Sequence, residues 1–168
     1  MSIIKNFIII IFVTTFISQV SAEEVKKMGT HKDWETYVVN SDSGKVCFAQ
    51  SVPVLQSPKS NLREARMFVS FRPGEKVSNE ISITSGYEFN KKNIITATSG
   101  KSKYKFDIAQ EGFAWIADNK LENKMIKTMK RGSRIMITGY NQKGSQTIDH
   151  YSLLGFTKAY NAAKTSCS

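Results

Sequence analysis

The chain has 168 residues, 40% of them hydrophobic, and its 24 Lys and Arg against 14 Asp and Glu give a formal net charge of +10. This length is enough for one domain with a hydrophobic core and too short to favour two. The charge favours anionic partners: phospholipid head groups, lipopolysaccharide, an acidic protein face or nucleic acid. Solubility alone explains the excess of lysine equally well.

The first 22 residues have the pattern of a secretory signal peptide. Lys5 supplies a positive charge, residues 7–17 form an almost uninterrupted apolar run, and residues 20–22 are a small-residue cleavage site. The run is shorter than the roughly 20 residues that a membrane-spanning helix needs, and no later run approaches that length. We therefore expect cleavage near Ala22 and a mature protein that is periplasmic, secreted or associated with the outer surface. Export makes nucleic acid the least expected anionic partner.

Residues 23–32 are polar and charged, which predicts a flexible leader, and residues 33–168 are predicted to form a single β domain. Residues 34–39 and 45–50 are strand-like runs around a Ser/Asp/Gly turn, the pattern of a hairpin. Residues 53–61 contain two prolines and predict a loop. Further strands are predicted at 65–71, 80–84 and 93–98.

A period of two follows. Tyr104, Phe106 and Ile108 fall on one face of a strand, and Lys103, Lys105 and Asp107 fall on the other. This alternation is typical of a half-buried antiparallel strand, and residues 113–117 are its expected partner.

The period then becomes helical. The apolar residues Leu121, Met125, Ile126 and Met129 lie on one stripe, Asp118 or Asn119 can cap the start, and Gly132 ends the helix. The basic residues of this region predict a surface that binds anionic lipid head groups or envelope polymer, with a solvated helix face as the alternative: Lys120, Lys124, Lys127, Lys130, Arg131 and Arg134.

Two more strands, 134–140 and 147–151, precede a C-terminal helix. Ser152 can cap this helix, and its apolar stripe contains Phe156 and Tyr160 and ends at Cys167. Gly155 lowers helix propensity and permits close packing on the sheet. Short strands with two helices predict a mainly β fold, an antiparallel β-sandwich or barrel-like core with an amphipathic helix and a C-terminal helix.

The two cysteines, Cys47 and Cys167, predict one disulfide if the chain is exported, and two free thiols are the alternative. In the chain-entropy model such a long loop restricts the unfolded state by roughly 4–5 kcal/mol.

No residue pattern predicts catalysis, a metal or a cofactor. His31 and His150 lack the clustered ligands that a metal needs. Asp149, His150 and Ser152 are the residue types of a hydrolase triad, but neighbours on a strand point to opposite faces, so Asp149 is badly placed to orient His150.

The aromatic residues predict core rather than a ligand groove, because such side chains dominate burial in small β domains. They are Trp34, Tyr104, Phe106, Trp115 and Phe156.

The order of several short motifs resembles the invasion-associated locus B family of exported bacterial proteins. They lie at residues 33–34, 45–48, 71–77, 79–82, 86–87, 114–115, 129–132, 144–147, 149, 151–153 and 155–156. The resemblance implies an exported protein of Gram-negative bacteria, in a family named for association with host-cell entry in some pathogens, and it brings no catalytic residues. Tyr37 stands where more cysteine-rich members often have a cysteine.

We therefore expect a non-enzymatic envelope protein that binds an envelope protein, an anionic envelope surface or a host-surface component. The alternatives are a cell-wall-directed enzyme or enzyme inhibitor, and a periplasmic carrier of a small ligand. Partly buried titratable groups in a cleft would favour an enzyme, and a flat basic or aromatic patch would favour binding.

Overall fold

The computed structural model describes residues 24–41, 44–60 and 62–168. The predicted signal peptide, residues 1–22, lies outside them, so its cleavage stays a prediction. In chain order the elements are β1 (Glu24–His31), β2 (Trp34–Ser41), β3 (Gly44–Ser51), β4 (Leu55–Ser57), β5 (Ala65–Arg72), a 3-10 turn (Pro73–Glu75), β6 (Val77–Ser85), β7 (Ile95–Ser99), β8 (Ser102–Phe106), β9 (Ile108–Gln110), β10 (Phe113–Trp115), α1 (Asn119–Arg131), β11 (Arg134–Tyr140), β12 (Gln146–Ser152) and α2 (Phe156–Ser166).

The strands form two antiparallel sheets. The seven-stranded sheet has the order β1-β2-β3-β5-β6-β10-β9, and the five-stranded sheet has the order β4-β12-β11-β7-β8. The described strands do not close into a barrel. The mainly β prediction is confirmed, in its sandwich form with two helices.

One hydrophobic core joins the inner faces of both sheets and both helices. Met67 and Ile83 enter it from the seven-stranded sheet, and Ile135 and Ile137 enter it from the five-stranded sheet. All four are at most 1% exposed, and full burial of such a side chain contributes about 1.5–3 kcal/mol. The alternating burial along β11 and β12 is the physical basis of their period-two pattern.

Helix α1 begins and ends where the sequence predicts. The Asp118 carboxylate accepts a hydrogen bond from the Lys120 N–H at 2.7 Å, and the Gly132 N–H donates to the Thr128 carbonyl at 2.9 Å. Met125, Ile126 and Met129 are buried, which confirms the apolar stripe.

Helix α2 is joined to β3 by the predicted Cys47–Cys167 disulfide, with a Cα–Cα distance of 5.8 Å. The predicted Ser152 cap is wrong, because the Ser152 hydroxyl accepts the Leu154 N–H instead. The residue before the helix is Gly155, with φ of 90°. A Cβ there would lie 1.7 Å from the His31 carbonyl oxygen, so this close approach requires glycine.

The predicted flexible leader is a strand. β1 pairs with β2 from Glu24 opposite Asn40 to His31 opposite Trp34. Most side chains of β1 are exposed, so backbone hydrogen bonds rather than burial hold the strand in the sheet. Its polar sequence therefore has no hydrophobic pattern that would predict a strand.

Two other predictions are wrong in part. The predicted loop at 53–61 contains β4, which pairs with β12. Ile108 does not share the buried face of Tyr104 and Phe106 but is 45% exposed, because the chain passes from the five-stranded to the seven-stranded sheet at Asp107. The partner of β10 is therefore β9, together with β6, rather than β8.

Candidate functional site

Five aromatic side chains cross the outer face of the seven-stranded sheet. We call this set the aromatic strip: Tyr37, Phe48, Phe68, Phe113 and Trp115. Each sits on a strand where its neighbours point into the core, and each remains partly exposed. The prediction that Trp115 belongs to the core is therefore wrong, whereas Trp34, Tyr104, Phe106 and Phe156 are buried.

Strand register makes the strip continuous. Tyr37 lies opposite Phe48, with ring centroids 5.4 Å apart. Phe68 and Trp115 both lie opposite Ser82, one from each side, and Phe113 is 6.3 Å from Phe68 and 5.8 Å from Trp115. From β2 to β10 there are four strand steps, so at about 4.8 Å per step the strip spans about 19 Å.

Charged groups border one end of the strip. Glu35 forms an ion pair with Lys27 and accepts a hydrogen bond from the Tyr37 hydroxyl at 2.8 Å. The hydrogen bond from Lys27 is the main cause of the lowered pKa of Glu35, and desolvation raises the pKa of Tyr37. The Tyr37 hydroxyl and the Glu35 carboxylate are therefore held in a fixed arrangement.

A second fixed charge pair lies on β5 and β6. The Arg72 guanidinium donates to both carboxylate oxygens of Glu80 at 2.8 Å, and its Nε donates to Glu75 at 2.9 Å. The Glu80 hydrogen bonds are the main cause of a raised pKa for Arg72. An apolar centre with a polar border is the usual anatomy of a protein interface.

A cavity of about 440 Å³ adjoins the Trp115 end of the strip, lined in part by Ile108, Trp115 and Glu122. Glu122 is 2% exposed, and its carboxylate accepts the Ile81 N–H at 2.8 Å. Desolvation raises the pKa of Glu122 to about 7, with smaller contributions from the carboxylates of Glu80 and Asp118. The group therefore changes charge near neutral pH.

The predicted basic residues are all exposed, and the structure brings most of them together on α1. Lys130 packs against α2, with its Nζ 3.8 Å from the Tyr160 ring centroid, and desolvation lowers its pKa. Arg134 begins β11, opposite Ser152, and belongs to the five-stranded sheet. Anion binding by the six predicted residues stays a prediction: Lys120, Lys124, Lys127, Lys130, Arg131 and Arg134.

The hydrolase-like residues do not form a triad. Asp149 is buried and bridges to Arg63, while His150 points to the other face of β12. Among the described residues, no group of three or more His, Cys, Asp or Glu is placed to hold a metal ion. In the same part of the chain, no helix is both long and apolar enough to cross a membrane.

Sequence reasoning missed the aromatic strip and Glu122. Phe48 and Phe68 each sit between two residues that are buried, so the sequence places a large aromatic side chain at an outward-facing position of each strand. Glu122 lies three and four residues from Met125 and Ile126 on the apolar stripe, where a carboxylate is out of place.

Comparison with known proteins agrees with this fold. The model of the invasion associated locus B (IalB) protein family matches residues 34–164. The crystal structure of invasion associated protein B from Bartonella henselae is similar, with a TM-score of 0.56 and 15% identity over 87% of this chain and 98% of that chain. Comparison with the curated proteins gave no match.

Proposed function

The chain belongs to the invasion associated locus B family, and we propose that it is an exported, non-enzymatic protein that binds a protein of the cell envelope or of a host-cell surface and contributes to host-cell association. The aromatic strip is the observation that carries this function. Exposed aromatic patches with polar borders are the surfaces that proteins use to bind one another.

The shape of the strip favours a macromolecular partner. It runs across five consecutive strands, β2 to β10, rather than lining an enclosed pocket. Tyr, Trp and Phe are the residues that contribute most at the centre of interfaces, because they bury large rigid surfaces at low cost in conformational entropy. The strand backbone under them is hydrogen-bonded on both sides, so the surface is preorganised.

The polar groups favour binding over catalysis. Asp149 is paired with Arg63, and Glu80 is held by both nitrogens of Arg72, so neither is free to exchange protons with a substrate. A carrier would need a closed apolar cavity between the sheets, where Met67 and Ile137 pack instead. Glu122 is the group on which the alternative, a cell-wall-directed enzyme, would depend.

Site-specific photo-crosslinking tests this function. A photoreactive phenylalanine at Phe113 should crosslink to one defined envelope or host-surface protein, and the same group at Leu154, which is 60% exposed but outside the strip, should not. The identified partner is then purified and its affinity measured by calorimetry. Phe68→Ser with Phe113→Ser should weaken binding at least tenfold, because the few central residues that dominate an interface cost about 2 kcal/mol or more when truncated, and tenfold corresponds to about 1.4 kcal/mol.

The matched control is Leu62→Ser with Leu154→Ser, which removes two exposed apolar side chains outside the strip. This variant should bind like the wild type. Equal binding by the strip variant would refute the assignment. Crosslinking to a second copy of the chain would replace it with self-association.

A further inference from the structure

The outer face of the five-stranded sheet is a second candidate surface, chemically unlike the aromatic strip. It contains a depression of about 770 Å³. We call it the basic depression, and the residues that matter are Lys92, Thr96, Thr98, Lys103, Lys105 and Thr138. We propose that the basic depression binds an anionic polysaccharide as an extended chain.

The pairing register arranges these side chains in rows. Lys105 lies opposite Thr96, which lies opposite Thr138. One row along, Lys103 lies opposite Thr98. Hydroxyl groups on the central strands are therefore flanked by ammonium groups on the edge strand, a pattern that matches the hydroxyl and acid groups of a charged sugar chain.

Tyr104 fixes the orientation of both edge lysines. Its side chain points inward, is 2% exposed, and its hydroxyl lies 2.6 Å from the Thr128 hydroxyl on α1. Since successive side chains of a strand point to opposite faces, Lys103 and Lys105 must point outward together.

The positive charge is not neutralised locally. Lys92, Lys103 and Lys105 are exposed, and none of them takes part in an ion pair of the described residues. The described residues that line the depression include no carboxylate. An adjoining depression is also lined by Lys91, and its lining includes one carboxylate, that of Asp107. Charge complementarity therefore favours an anionic occupant.

The shape and the neutral groups select the class of anion. A planar lipid surface cannot enter a depression, and it would instead contact protruding lysines such as Lys124 and Lys127 on α1. Single-stranded nucleic acids are held by several aromatic stacking platforms, whereas Tyr104 is turned inward here and Tyr140 is left as one ring at the edge of the depression. Threonine hydroxyls donate to and accept from sugar hydroxyls, which favours a polysaccharide.

Heparin, a linear sulfated polysaccharide, is the probe, and calorimetry at about 0.15 M salt gives the affinity. Lys103→Gln with Lys105→Gln should weaken heparin binding at least tenfold. Lys124→Gln with Lys127→Gln removes the same charge from α1 and should change affinity less than threefold. Thr96→Val with Thr138→Val should weaken binding about threefold or more with no change in charge.

Equal losses in both lysine variants would overturn the basic depression in favour of diffuse attraction. The proposal would also be overturned if the wild-type protein failed to bind heparin. The same holds if it bound neutral dextran, duplex DNA or anionic phosphatidylglycerol vesicles as tightly as heparin. The strip variant, Phe68→Ser with Phe113→Ser, should bind heparin like the wild type, so failure of the protein-binding function and failure of polysaccharide binding are distinguishable. Thermal melting of each variant checks that it folds.

Discussion

Replacing Glu122 with glutamine should stabilise the protein at alkaline pH and leave it unchanged at acidic pH. The folded protein raises the pKa of this acid from 4.5 to about 7. Folding therefore favours the protonated form, and between these two pKa values the folded state binds more protons than the unfolded state. Stability falls as pH rises through this window. The glutamine amide stays neutral at every pH and keeps an oxygen that can accept the Ile81 N–H.

The magnitude follows from the shift. At about 1.36 kcal/mol per pKa unit, the change sets an upper limit of about 3.4 kcal/mol on the stability lost above pH 7. Because Glu122 lines a cavity that solvent can enter, we expect about 2 kcal/mol. For a protein of this size, that corresponds to a rise in Tm of roughly 4–8 °C.

Urea denaturation at pH 4 and pH 8, with the disulfide intact, measures the effect. The wild type and Glu122→Gln should agree within about 0.5 kcal/mol at pH 4, below both pKa values, and differ by about 2 kcal/mol at pH 8. Glu88→Gln, at an exposed acid, is the control and should shift neither value. If Glu122→Gln is less stable than the wild type at both pH values, the ionised carboxylate is the native form and the reasoning fails.

Three further perturbations test the packing. Reducing the Cys47–Cys167 disulfide should lower the free energy of unfolding by about 4–5 kcal/mol, since it closes a loop of 120 residues, and a change below about 1 kcal/mol in urea denaturation with reductant would contradict this. Gly155→Ala should lower stability by about 2–4 kcal/mol, because both the positive φ and the close His31 carbonyl exclude a Cβ; thermal melting should show it, and an unchanged Tm would argue against that contact. Arg63→Ala should lower stability by about 3–5 kcal/mol by leaving a buried carboxylate unpaired, a loss that chemical denaturation should find to be smaller in the double variant with Asp149→Ala.

The sequence was informative where local chemistry decides structure. Asp118 and Gly132 bound α1 because a side-chain acceptor and a flexible residue satisfy helix ends within a few residues. The β11–β12 pair was predictable because each strand has one buried face. The disulfide was predictable from two cysteines alone, provided that the compartment is oxidising.

The sequence was uninformative where structure depends on distant backbone. β1 buries little, so only its pairing with β2 reveals it. The alternation at Tyr104 continues to Ile108 although the chain changes sheets, because a period of two reports which face a residue takes and not which sheet it joins. Assembly of the aromatic strip depends on the register of strands far apart in the chain.

Residues near the two ends of the described chain are hydrogen-bonded to each other, and this affects the order in which native contacts can form during synthesis. The Trp34 indole N–H donates to the Ser152 carbonyl, and the Asp33 N–H donates to the Leu154 carbonyl. Trp34 is synthesised more than a hundred residues before either acceptor. The N-terminal hairpin therefore lacks these two acceptors until residues 152 and 154 have been synthesised, so we expect the native packing of Trp34 to form late, after the pairing of β2 with β3.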